Sequence, residues 1–158
     1  MVKFCSPFVV PQQEREGTMS QESNNPKLIA AMQKLEALAT STGEPSLRDG
    51  ILHFGDASIP RPDFVIVSQV QDDHDAYATL FVADGDSFTR AATNIYSDGV
   101  RAVGTELDPN GPVIGRLRNG ESYAGPAQIL DRDYDTFYRP IFDSSQSVIG
   151  AYLVAEPI

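Results

Sequence analysis

From Ala76 to the end, the chain alternates strand-like runs with turn residues, and this constrains the fold more than any other feature. Ala76–Ala83 is rich in β-branched and aromatic residues, Asp84-Gly85 is a hairpin signal, and Ser87–Asn94 reads as the returning strand. Three more runs of this kind follow at Ser122–Leu130, Asp135–Phe142 and Val148–Ala155, with turns at Asp131-Arg132-Asp133 and Asp143–Gln146. Between the second and third runs lies a long irregular segment, Ile95–Gly120. It carries Asp98-Gly99, Gly104 and Pro109-Asn110-Gly111, and one helical turn is expected at Val113–Arg118. Five antiparallel strands with a long insertion after the second are therefore expected.

Upstream the period changes. Asn25 is placed to cap a helix whose first residue is Pro26, and Leu28, Met32, Leu35 and Leu38/Ala39 recur at helical spacing. Thr42-Gly43 and Pro45 end it, which predicts a helix over Pro26–Ser41. Its apolar stripe is suited to cover one face of the sheet, or to pair with a copy of itself. A loop follows with turns at Asp49-Gly50 and Gly55-Asp56, then a short helix or strand at Phe64–Val70 and an acidic turn at Asp72–Asp75. Helices segregated to one side of an antiparallel sheet make an α+β fold. A long N-terminal helix packed on a five-stranded sheet, with a long pocket-forming loop, suits a PAS-like architecture.

Residues 1–25 read as a disordered tail, because Gln12–Asn25 is polar, and residues 26–158 read as one domain. Met19 offers a second start, with everything that looks folded after it. The opening residues lack a proper apolar core for an export signal, so a cytoplasmic location is expected. No run approaches the roughly 20 apolar residues of a membrane-spanning helix.

Twelve basic against 22 acidic residues leave a formal charge of −10, which argues against nucleic acid as a partner, since phosphate binding needs a basic surface. Cys5 is the sole cysteine, so neither an internal disulfide nor a multi-cysteine metal site is available. His53 and His74 are the only histidines. His74 sits among Asp72, Asp73 and Asp75, but the spacing matches no established metal motif, and no metal or other cofactor is expected. The sequence also lacks a G-x-S-x-G elbow, a P-loop, a Rossmann glycine fingerprint and H-E-x-x-H, so no enzyme is expected. Every positive side chain after Lys34 is an arginine, whose planar fork holds carboxylates bidentately. Arg90, within a strand, and Arg101, after a turn, are the candidates to enter a pocket. The plainer reading pairs each with one of the many aspartates.

Seven fragments in series carry a family resemblance: Asp49-Gly-Ile-Leu-His-Phe-Gly-Asp56, Ala78-Thr-Leu-Phe-Val82, Arg90-Ala-Ala-Thr-Asn94, Asp98-Gly-Val-Arg-Ala-Val-Gly-Thr-Glu-Leu107, Gly120-Glu-Ser-Tyr-Ala-Gly125, Tyr138-Arg-Pro-Ile141 and Val148-Ile-Gly150. In this order the chain resembles, from about Leu35 to Ile158, the single-Cache sensory domains of bacterial chemoreceptors and related signal transducers. The resemblance implies a PAS-like fold and binding of a small polar metabolite, often a carboxylate, between the sheet and the long loop. It also implies a part in signal transduction or chemotaxis, a signalling partner protein, and a homodimer formed through the N-terminal helix. The matching ligand-binding positions are Phe81, Arg90, Thr93, Asn94, Arg101, Tyr123 and Tyr138. Arg90 and Arg101 would hold an anionic group; Tyr123 and Tyr138 would supply hydroxyls and an aromatic wall.

Asn94 and Thr105 have a plainer alternative role, tying the loop through side-chain-to-backbone bonds. Members of the family usually lie outside the cell, flanked by membrane helices that this sequence does not show. A free-standing sensory domain is therefore the expectation. Asp131 and Ser145-Gln146 stand where turn glycines are usual. The alternative to a ligand-binding domain is an interaction or dimerisation module whose pocket is filled by its own side chains.

Overall fold

The computed structural model describes residues 22–59 and 65–158. The tail reading of residues 1–25 thus falls largely outside the described residues. Helix α1 spans Pro26–Thr40, with the side chain of Asn25 accepting a hydrogen bond from the Lys27 amide at 3.0 Å and proline in the first turn. This is the expected cap, and it satisfies one of the amides that a helix start leaves without a partner.

The next segment, read as a loop, contains a small antiparallel meander: β1 (Pro45–Arg48), β2 (Ile51–Phe54) and β3 (Ala57–Ser58). Asp49-Gly50 and Gly55-Asp56 are its turns, so the turn residues were legible and the short strands between them were not. Helix α2 runs Val65–His74. Phe64 lies outside the described residues, and Val65–Val70 is helical. Asp72–His74 are the end of this helix and not a free turn; only Asp75, with φ 53°, leaves it.

The five expected strands form one sheet: β4 (Tyr77–Asp84), β5 (Ser87–Thr93), then, after the insertion, β8 (Tyr123–Ile129), β9 (Arg132–Phe142) and β10 (Val148–Pro157). All neighbours pair antiparallel in the order β5-β4-β10-β9-β8. The insertion holds a two-stranded ribbon, β6 (Tyr96–Ser97) and β7 (Val100–Arg101), and the short helix α3 (Ile114–Arg118). The missing turn glycines do not change the turns. Asp131 and Gln146 take φ of 70° and 68°, as glycine would. Asp143 closes the second turn by accepting hydrogen bonds from the Ser145 and Ser147 amides and the Ser145 hydroxyl.

The central sheet separates two cores. On one face α1 and α2 deliver Leu28, Met32, Leu35, Val67 and Val70 against Leu80, Phe137, Ile141 and Val154, with Phe54 of the meander. All three α1 residues are 0% exposed. The apolar stripe is therefore used up on the sheet, and a pair formed through α1 would have to use its opposite side. Each such side chain contributes roughly 1.5–3 kcal/mol through removal from water. On the other face the insertion lies over Phe81, Ala151, Leu153, Tyr134 and Tyr138, with Leu107, Val113, Ile114 and Leu117 packed down on them.

Candidate ligand-binding cleft

One irregularity in the sheet decides which side chains reach the loop-covered face. In β5, Ala92 pairs with Leu80 and Arg90 pairs with Phe81, so Ala91 is an extra residue without its own partner. Strict alternation would put Arg90 and Thr93 on opposite faces, because side chains alternate along a strand. The bulge resets the alternation. Ala91 and Ala92 both pack into the helix-side core, and Arg90 comes to lie against Phe81.

The other side of the cleft is built by the insertion running along the free edge of β5. The Arg90 amide donates to the Thr105 carbonyl and the Gly104 amide to the Arg90 carbonyl, both at 2.8 Å, and the Leu107 amide donates to the Phe88 carbonyl. This short ladder covers the edge strand, which otherwise exposes unpaired backbone groups. Gly150 permits close packing on the opposite side of β4: a Cβ there would collide with the Phe81 carbonyl.

Arg90 is the unusual group. It is 2% exposed. Its Nη1 donates to Thr105 Oγ1 and to the Glu106 carbonyl, both at 3.0 Å, and its guanidinium lies 5.1 Å from the centre of the Phe81 ring. Nε has no hydrogen-bond partner. Among the described residues no carboxylate is in ion-pair contact with it. Burial pushes its pKa down from the usual arginine range, with the nearby Tyr138 phenol acting the other way. A buried cation without a counter-ion is costly, and arginine does not escape by giving up its proton.

From Arg90 an aromatic line crosses the sheet. The rings of Phe81 and Tyr138 lie 6.1 Å apart, and those of Tyr138 and Tyr123 lie 6.3 Å apart in a T-shaped contact. Tyr138 is fully buried; desolvation raises its pKa strongly, and the Arg90 charge only partly opposes this. It stays a neutral phenol. The Tyr123 hydroxyl donates to the Pro126 carbonyl at 2.7 Å.

Two adjoining cavities open here. One, of about 150 Å³, is lined by Leu107, Val113, Gln128 and Tyr138 among others. The second, of about 240 Å³, is bounded by Arg90, Glu106, Asp108, Gln128, Leu130 and Asp131. Asp108 and Gln128 belong to both walls. These volumes lie below the roughly 300–1,000 Å³ of sites for drug-sized ligands.

Of the seven residues singled out from sequence, Phe81, Arg90, Tyr123 and Tyr138 form one connected line. Thr93 lies beside it, its hydroxyl 2.8 Å from that of Thr79 and accepting from the Ile95 amide. Asn94 faces away. Its side chain accepts from the Ala78 amide at 2.8 Å and donates to the Val67 carbonyl of α2 at 3.0 Å, a tie between sheet and helix. Arg101 donates to the Thr93 carbonyl at 2.6 Å, stacks over Tyr96 at 5.4 Å, and lines neither cavity.

Sequence reasoning missed Leu107, Val113 and Gln128 as wall residues. Nothing marks them as such in sequence, because the insertion's path over the sheet brings them there. Thr105 does tie the loop, accepting from Arg90 and donating to the Ala102 carbonyl. His53 and His74 sit on β2 and α2, and among the described residues no group of three or more His, Cys, Asp or Glu is arranged to hold a metal ion. No helix among them is long and apolar enough to cross a membrane.

No curated protein matches the chain. The Cache 3/Cache 2 fusion domain matches it over residues 16–158, nearly its whole length. Together with the antiparallel five-stranded sheet behind an N-terminal helix, this match identifies the chain as a member of the Cache family of sensory domains, non-catalytic modules that bind ligands in signalling.

Proposed function

We propose that this Cache domain binds a small carboxylate-bearing metabolite in the cleft between the central sheet and the insertion, with Arg90 as the anchor for the anionic group. The observation that carries this reading is a guanidinium buried to 2% exposure with an unpartnered Nε and no neighbouring carboxylate. A ligand carboxylate in the adjoining cavity would supply the missing counter-ion to the guanidinium in a low-dielectric setting, where charge-assisted bonds are strong. Tyr138, held neutral, lines the smaller adjoining cavity and offers a hydroxyl, with the Phe81 and Tyr123 rings packed against it. Thr93 supports the wall through Thr79. Asn94 and Arg101 have structural roles in this reading, since their polar groups hold α2 and the β6–β7 ribbon.

Binding would draw Thr105–Val113 onto β9 and β10. The first residues of β9 and the last of β10 lie beside the start of α1: the Asn25 side chain donates to Asp135 at 2.9 Å and to Glu156 at 2.5 Å, and Lys27 pairs with Glu156 at 3.1 Å. A shift of these strands therefore reaches the helix directly, and α1 is the element we assign to pass the signal to a partner protein, as in chemotaxis receptors. The same role could be served in a homodimer through the outward side of α1, which carries Ile29, Gln33 and Ala37.

The test is a melting-temperature screen of the chain against small organic acids and amino acids. A ligand at a hundred times its Kd stabilises the native state by about 2.7 kcal/mol, a rise of several degrees for a domain of this size. The expected result is a rise with one class of carboxylate that disappears in Arg90→Met. A flat screen with a cooperatively folding protein would overturn the proposal.

A further inference from the structure

The insertion carries two Asn-Gly pairs, Asn110-Gly111 ahead of α3 and Asn119-Gly120 at its end, and the fold treats them differently. In such a pair the glycine nitrogen is able to attack the side-chain amide carbon of the asparagine, because no Cβ obstructs its approach and its backbone turns freely. The glycine amide gives its proton to solvent, the N–Cγ bond forms, and the Cγ–Nδ2 bond breaks with release of ammonia, protonated from water. Water then opens the five-membered imide at either carbonyl, leaving aspartate or isoaspartate. Asn119 is held away from this path. It caps α3, and Gly120, at φ 77°, closes the helix: the Gly120 amide donates to the Leu117 carbonyl at 3.0 Å and the Glu121 amide to the Arg116 carbonyl at 2.8 Å. These are the paired bonds of a Schellman cap. The ψ of Asn119 is 4°, so the Gly120 nitrogen eclipses the nitrogen of Asn119 itself, whereas ring closure needs it to eclipse Cβ. Reaching that geometry breaks the cap and moves Gly120 off the Phe142 ring, which lies so near that an added Cβ would stand 3.3 Å from it.

Asn110 has no such hold. It lies in the turn between β7 and α3, and its own amide donates to Asp108 Oδ1 at 2.9 Å, a bond that leaves the side chain free to turn. The Gly111 amide makes only a long bond, 3.3 Å, to the Asp108 carbonyl, beyond the roughly 2.7–3.2 Å of ordinary N–H···O bonds. Among the described residues no hydrogen bond restrains the Asn110 side-chain amide. Both asparagines are exposed, so access to water does not separate them; the freedom of the glycine nitrogen does. We propose that Asn110 is a spontaneous modification site of the folded protein, converting to aspartate and isoaspartate while Asn119 is spared. Its position gives the change a consequence, whatever the cleft binds. Asp108, Gly111, Pro112 and Val113 wall the smaller cavity. Either product places a new negative charge close to Asp108. Isoaspartate also routes the main chain through the side-chain carbon, which lengthens the turn directly ahead of Pro112 and Val113.

The experiment incubates the folded full chain in mildly alkaline buffer and, in parallel, the same chain unfolded in urea. At intervals each sample is digested, and the two Asn-Gly peptides are followed by mass spectrometry, with isoaspartate identified by enzymatic methylation of its carboxyl group. In urea both asparagines should convert at comparable rates, since the local sequence is then all that counts. In the folded chain Asn110 should convert at least tenfold faster than Asn119, giving both aspartate and isoaspartate. Gly111→Ala should slow conversion at Asn110 several-fold and leave Asn119 unchanged. Gly111 does not have a positive φ, and an added Cβ would meet only the Asp108 side chain, so this variant keeps the fold. Equal rates at the two sites in the folded chain, faster conversion at Asn119, or an Asn110 that converts in urea and not in the folded chain would each overturn the proposal.

Discussion

The two faces of the central sheet are packed by opposite rules. The helix face is filled mainly with aliphatic side chains, with Phe54, Phe137 and Tyr152 among them, and the buried polar Asn94 that reaches it from the end of β5 has its donor and acceptor both satisfied. The loop face holds aromatic rings, two cavities and a buried arginine with an unsatisfied nitrogen. A helix can match a sheet with interdigitated apolar rows along its length, whereas an irregular segment must also satisfy its own backbone and so packs less completely. The lesson is that stability is concentrated on one side and binding on the other, so mutations on the two sides should separate the two properties.

Leu35→Ala on the helix face should have the largest effect on stability. It leaves a cavity beneath α1 and should cost about 2–5 kcal/mol in urea unfolding, with ligand affinity of the folded fraction unchanged. Asn94→Ala comes next. It strands the Ala78 amide and removes the tie to the Val67 carbonyl, and a loss of about 1–3 kcal/mol is expected with ligand specificity retained. A full loss of binding with unchanged stability would return Asn94 to the ligand site. Arg90→Met should behave in the opposite way. Exchanging a buried, uncompensated charge for an apolar side chain is often neutral or stabilising, so the unliganded variant should unfold within about 1 kcal/mol of the parent while its response to ligand is lost.

The smallest effect concerns pH at the junction of α1 with β10. Hydrogen bonds from Asn25, and then from Lys27, hold the Glu156 carboxyl below its ordinary range. Because the folded pKa is depressed, the stabilisation is present above the unfolded value of 4.5 and is lost as pH falls through the lower folded value. Acid titration of Glu156→Gln should therefore show a shallower loss of stability below pH 4.5 than the parent.

Much of the fold could be read from the sequence because its signals are local. The stripe of Leu28, Met32 and Leu35, the Asn25-Pro26 start and the Asp84-Gly85 hairpin each act within a few residues. The β1–β3 meander was missed because its strands are two to four residues long and too short for alternation to appear. Arg90 and Phe81 were legible as pocket candidates, but the bulge that turns Arg90 toward Phe81 was not, since Ala91 and Ala92 look like ordinary strand residues. The separation of Asn94 and Arg101 from Arg90 was equally hidden, being decided by the Val67 and Thr93 carbonyls that they meet in three dimensions. The acids of the cleft come from the insertion and a hairpin turn, and only the folded path of the loop brings them beside Arg90.

The most direct test of the division between the faces is amide hydrogen exchange with and without the carboxylate compound that gives the largest rise in melting temperature. Added protection should concentrate in Phe88–Thr93 and Thr105–Val113, with that in Leu28–Ala39 rising no more than the general gain in stability, and Arg90→Met should abolish it. Protection that instead concentrates on α1 and α2, or that persists in Arg90→Met, would contradict the assignment of binding to the loop-covered face.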